Sequence, residues 1–233
     1  MNSDLMGVAQ AARELGVAES RVRSLISSGD LAAEKIGGRW LLDRRDILRR
    51  RRQPIGPGRP LSPRNAWILL LEASGEEPPD PVDPGARWRM RRSLEHPGLA
   101  AMRPRMVRRA RSHHFWALPG ELRALREEDG IVRSGSSAAA ELGLKLLSPD
   151  ALDAYVPAAK LAALIRRHGL QETAEGDASV LLREVPDDAW MLQQRRVAPP
   201  AAVGLDLASY ADSRSSRAGL QLLGEIADER PAQ

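Results

Sequence analysis

Ser20, Arg21, Arg23 and Ser24 are short polar or basic side chains clustered near the start of one helical segment, Glu19–Ile26, which Gly29 stops. Val22, Leu25 and Ile26 fall on the opposite side of that segment. Residues of this kind at the N-terminal end of a helix suit contact with base edges in the major groove of a duplex. A second group of cations, Lys35 and Arg39, brackets Gly37-Gly38. Gly-Gly suits a two-residue hairpin turn, which needs positive φ at both central residues. Lys35–Leu42 is therefore expected to form a two-stranded wing with two cations at its tip. Lys35, Gly38 and Arg39 would place that wing on an adjacent backbone or minor groove. A third group, Arg49, Arg50 and Arg51 with Arg52, ends a helix that Asp43 can cap, and follows the wing directly towards phosphate.

The elements that must hold these groups are short. Val8–Leu15 reads as an amphipathic helix with Ala12 and Leu15 on one face, and Gly16-Val17 as the tight turn before the second helix. The two apolar faces close a minimal core. The run from Gly16 to Leu42 resembles the excisionase-type, MerR-like helix-turn-helix, most closely in Lys35-Ile36-Gly37-Gly38-Arg39-Trp40. Ala18 stands where that family has a serine cap. The resemblance covers about residues 5–50 and implies double-stranded DNA as the partner.

Charge divides the chain. Residues 1–116 hold 22 Lys and Arg against 13 Asp and Glu, a net +9, whereas residues 117–233 carry a net −5. A basic front half attracts phosphate and an acidic back half does not. There is no cysteine, hence no disulfide and no thiolate metal site, which fits a reducing cytoplasm. The densest apolar run, Ile68–Leu71, falls far short of the roughly 18 residues of a membrane span, so no membrane role is expected. The first residues lack the basic-then-apolar pattern of a signal peptide.

Proline and glycine clusters set the boundaries: a winged helix-turn-helix over 1–52, a linker over 53–61, a basic helical connector over 62–112, an α+β domain over 113–227 and a tail over 228–233. Within the connector, Ser62-Pro63 starts a helix through Ala73, and Ala86–Leu94 reads as a second, basic one. Arg87, Arg89, Arg91, Arg92, Arg105, Arg108, Arg109 and Arg111 suit phosphate contact, a solvated helix face or an acidic partner, and the sequence leaves these open. Farther on, helices are expected over Gly120–Glu128, from Ala138 to Leu142, over Ala158–His168 and over Ser213–Ile226. Strands are expected at His113–Leu118, Leu152–Val156 and Ala178–Val185. Asp212 can cap the last helix, and Arg214 and Arg217 suit either an ion pair with Asp212 or Asp206 or a docking edge.

This half resembles the C-terminal domain of AbiEi-type antitoxins. The matching pieces are Ser134-Gly135-Ser136-Ser137-Ala138-Ala139, Leu152–Val156, Val180–Pro186, Val197-Ala198-Pro199, Leu205-Asp206-Leu207 and Asp212–Gly219, in that order. The resemblance implies an α+β fold, with the N-terminal winged helix-turn-helix followed by a mixed α/β antitoxin-like domain. It implies autorepression of an operon and a nucleotidyltransferase-type toxin opposed directly or functionally. One small helix-turn-helix covers too little DNA for high specificity, so binding to operator repeats is expected, by a homodimer or by several copies side by side. No catalytic residue, cofactor or metal is expected. His113 and His114 are adjacent, so on a strand their rings point to opposite faces. Asp206, Asp212 and Glu184 are read as caps or partner contacts rather than nuclease carboxylates, and the triplet Glu127-Glu128-Asp129 as solvated. A plain DNA-binding regulator and an excisionase-like architectural factor are the competing readings.

Overall fold

The computed structural model describes residues 5–27, 31–52, 60–78, 82–95, 98–146, 150–186, 192 and 195–229, and of residues 49, 51 and 52 only the backbone. The chain divides into two units, Met1–Ile55 and Gly56–Gln233.

In the smaller unit, β1 (Leu5–Gly7) leads into α1 (Val8–Leu15) and α2 (Glu19–Ser27), then β2 (Glu34–Ile36), β3 (Arg39–Asp43) and α3 (Arg44–Arg52). α1 ends at Gly16 with φ 66°, and the Val17 amide returns to the Ala12 carbonyl at 3.0 Å. That turn lets Val8, Ala11 and Ala12 meet Val22 and Leu25 in one core with Leu42 and Ile47. Leu15, expected inside, is half-buried at its edge. The wing forms as expected, β2 antiparallel to β3 around Gly37 and Gly38 at φ 56° and 78°. β1, which the sequence pattern did not reveal, adds a third strand on the other edge of β3. Asp43 does cap α3, accepting from the Arg45 amide at 2.7 Å.

The larger unit is a sheet between two layers of helices. Its helices are α4 (Pro63–Ala73), α5 (Pro84–Glu95), α6 (Leu99–Met102), α7 (Pro119–Glu127), α8 (Ala158–Arg167), α9 (Pro200–Leu207) and α10 (Ser213–Asp228). Its strands are β4 (Arg111–Trp116), β5 (Val132–Arg133), β6 (Leu152–Pro157), β7 (Gln171–Glu172) and β8 (Val180–Val185), in the order β5-β6-β8-β4-β7. β6 and β8 run parallel and the other pairs antiparallel. Leu152, Ala154, Val156, Val180, Leu182 and Phe115 form one face, covered by Leu122 and Leu125 of α7 and Leu161 and Leu164 of α8. Tyr155 and Val185 of β6 and β8 belong to the other face, with Trp67, Leu69 and Leu70 of α4 and Ala201, Ala202, Val203 and Leu205 of α9. The segment expected as a connector thus supplies α4 to this core, and the run Ile68–Leu71 is a buried helix.

That second face also buries charge. Arg183 of β8 grips Asp153 of β6 with two bonds of 2.8 Å, and its remaining nitrogen lies 3.5 Å from Asp206 of α9. Arg109, at the end of a 3-10 helix over Arg103–Arg109, bonds the same Asp206 oxygen, Oδ1, that Arg183 approaches, and reaches the Tyr155 hydroxyl at 3.1 Å. Ser134 donates to Asp206, and Tyr210 to Asp153. Two guanidinium groups and two carboxylates cancel. Burial alone would raise the Asp206 carboxyl, but Arg183 and then Arg109 outweigh it and hold the group below its ordinary value. Burial pushes the Tyr155 phenol up, so it remains a neutral partner.

Several sequence expectations change here. Arg109 is an interior ion-pair member, not an exposed cation, and Asp206 is its partner rather than a cap. Arg214 donates to the Lys145 carbonyl at 2.7 Å. The helix expected from Ala138 is a short 3-10 turn, Ala140–Leu142, ended by Gly143 at φ 70°. Glu128 is not simply solvated: it accepts two bonds from Arg167, at 2.8 and 2.9 Å, and contacts His168 at 3.1 Å. Other expectations stand: Ser62 caps α4 and Asp212 caps α10, the latter at 2.8 Å from the Ser215 amide.

Two outcomes follow. Gly135 has φ 49°, and a Cβ there would collide with the Asp153 carboxylate and the Tyr210 hydroxyl. Gly135→Ala is expected to cost at least about 2 kcal/mol in urea unfolding of the larger unit, and an unchanged midpoint would contradict this packing. The Arg167 hydrogen bonds, then His168, lower the Glu128 pKa. A lowered carboxylate contributes stability above its unfolded pKa of about 4.3 and loses it as pH falls through the folded value. Glu128→Gln should therefore flatten the fall in melting temperature between about pH 5 and 3; a slope equal to that of the parent chain would refute the pairing.

Candidate nucleic-acid interface

α2 divides cleanly. Val22 and Leu25 are buried, whereas Ser20, Arg21, Arg23 and Ser24 are all exposed on the other side. Arg23 is tied to Glu19 one turn back at 3.0 Å. Both side chains are well exposed, so the pair contributes no more than about 0.5 kcal/mol and yields readily to a stronger acceptor. Among the described residues Arg21 has no carboxylate partner. α2 lacks a side-chain cap because Ala18 stands before it, and Glu19 supplies the only negative charge in its first turn.

The wing is exposed along its tip. Lys35 lies opposite Trp40, with its Nζ 5.8 Å from the indole centroid, and Arg39 lies opposite Ile36 across the turn. Gly37 and Gly38 leave the hairpin end bare of side chains. Ile36 is 47% exposed, an apolar group between the two cations that the sequence pattern did not single out. Arg50 of α3 is half-buried, which sets it apart from the exposed cations of α2 and the wing. Arg49 and Arg51 lie on α3, but their side chains fall outside the described residues. One unit thus brings together the exposed face of α2 and a cation-tipped wing.

The carboxylates considered from the sequence do not converge. Asp206 is held by Arg109 and Arg183, Glu184 contacts His113 at 2.6 Å, and Asp212 caps α10. Among the described residues no group of three or more metal-ligating side chains is close enough to hold an ion. No helix there is long and apolar enough to cross a membrane. Sequence reasoning missed the buried set Asp153, Arg183 and Tyr210. The one available signal was an aspartate and an arginine inside mostly apolar strands.

Comparison with known families separates the same two regions. Residues 5–53 match a helix-turn-helix domain model. Residues 96–224, more than half of the chain, match the model described as transcriptional regulator, AbiEi antitoxin, type IV toxin–antitoxin system. No curated protein and no solved structure matches the chain. With a helix-turn-helix unit ahead of it and the buried-charge sheet domain inside the matched region, the chain belongs to the AbiEi antitoxin family of DNA-binding transcriptional regulators.

Proposed function

We propose that this antitoxin represses its own operon through the smaller unit and counteracts a nucleotidyltransferase-type toxin through the larger one, in the cytoplasm. The observation that carries the DNA half is the pairing of an exposed Ser20, Arg21, Arg23 and Ser24 face with a wing tipped by Lys35 and Arg39. α2 enters the major groove from its N-terminal end, with Arg21 and Arg23 as donors to base edges and Ser20 and Ser24 allowing close approach. The wing cations and Gly38 follow the adjoining backbone or minor groove. Arg49, Arg50 and Arg51 extend the phosphate contact. One such module covers little DNA, so binding is to operator repeats, by a dimer or by copies side by side. The family membership of the larger unit supports the toxin half.

The full chain tests both halves together. Arg21→Ala with Arg39→Ala should weaken operator binding at least about tenfold. It should also reduce the dependence of log K on log salt by about 0.9 for each phosphate that the variant no longer neutralises. The same variant should still restore growth to cells expressing the toxin encoded beside it. Unchanged operator affinity would refute the interface, and loss of rescue together with DNA binding would refute the division of tasks. A harmless neighbouring gene product would leave a DNA-binding regulator without the toxin assigned here.

A further inference from the structure

α5 lies between the two family-matched regions and in neither of them. Its inner side, Met90 and Leu94, joins the core of the larger unit. Two of its arginines are engaged locally: Arg87 and Arg91 both hold the buried carboxylate of Glu72. Trp88, Arg89 and Arg92 remain on the outer side, and Trp88 and Arg92 sit one turn apart. Trp88 is 62% exposed, more than any other large apolar side chain among the described residues. The Arg92 guanidinium carbon stands 5.6 Å from its ring centroid. Among the described residues no carboxylate forms an ion pair with Arg89 or Arg92.

We propose that this outer face of α5 binds single-stranded nucleic acid, with an unpaired base stacked on Trp88 and neighbouring phosphates held by Arg89 and Arg92. An indole flanked by guanidinium groups offers a π face for any base and a fork that fits phosphate oxygens. Bases in a duplex are already stacked on each other and leave no such face to Trp88. A protein-docking tryptophan sits at the centre of a packed, desolvated patch. Here the other exposed residues of the helix are Pro84, Gly85, Arg89, Arg92 and Glu95, so a single proline is the one aliphatic side chain beside the indole. With Arg87 and Arg91 taken up by Glu72, the outer face of the helix carries Arg89 and Arg92 against the one glutamate Glu95, a balance that favours an anion. This surface differs in chemistry from α2 and the wing, which suit paired bases.

The test uses the full chain carrying Arg21→Ala, Arg23→Ala and Arg39→Ala, so that the helix-turn-helix is silenced. Fluorescein-labelled strands of deoxythymidine, of uridine and a blunt duplex are titrated by anisotropy. The silenced chain should bind the single strands. Adding Trp88→Ala should weaken that binding about tenfold, whereas Trp88→Phe should keep most of it. Arg89→Ala with Arg92→Ala should lower the salt slope by about 1.4, the value for two phosphates on a single strand. Preference for the uridine strand would identify RNA as the source, and equal binding would identify base and phosphate alone. No single-strand binding, binding indifferent to Trp88→Ala, or an equal loss on the duplex would overturn the proposal. Failure to bind strands joined to loss of toxin rescue in Trp88→Ala would give the face to a protein. All three side chains are solvent-facing, so these variants keep the core intact.

Discussion

Asp206 is the point on which the larger unit depends. It has no access to water, and two arginines from different parts of the chain converge on it, Arg109 before the sheet and Arg183 within it. Arg183 in turn carries Asp153, and Asp153 carries Tyr210, so one neutral set of charges ties β6, β8 and α9 together with the 3-10 helix Arg103–Arg109. Such a set need not add stability over a well-packed apolar one, but removing one member leaves a buried charge uncompensated and costs about 3–5 kcal/mol. The geometry is also directional. Bidentate bonds from Arg183 to Asp153 hold on one side of the sheet, while Trp67 meets Tyr155 edge-on at 4.9 Å on that same side. Apolar packing alone would tolerate sliding of α9 over the sheet, and these bonds do not.

Arginine does three different things in this chain. On α2 it stays in water, where it is available to DNA. On α5 it clamps a buried glutamate, as Arg87 and Arg91 do at Glu72. In the interior it neutralises carboxylates, as Arg109 and Arg183 do. Net charge therefore overstates the basic surface of the front half, because Arg109 belongs to that half and is buried.

What the sequence revealed and what it hid follows from the same physics. The helix-turn-helix was legible because each local signal agreed with the fold: helical spacing at Val22 and Leu25, a positive-φ turn at Gly16, and Gly37-Gly38 between cations. The exposed residues of α2 could be named from the helical period alone. The larger unit was harder. β6 alternates apolar residues with Asp153 and Tyr155, a pattern that reads as a strand with one wet face. Both faces are in fact buried, because the polar partners come from distant segments. α9 is buried almost all round, so its sequence shows no helical periodicity from which a helix could be read. The three residues of β1 and the two residues of β7 are too short to carry a pattern.

The smaller unit closes its own core, from Met6 to Ile47, and the larger unit closes two others around its sheet. The buried charges therefore organise only the larger one. Amide hydrogen exchange on the full chain with Asp206→Asn measures this directly. The prediction is faster exchange throughout Leu152–Val156 and Ala201–Leu207, rising together, with α1 and α2 protected as in the parent chain. Unchanged protection in β6 and α9, or loss of protection extending into Val8–Ser27, would contradict it.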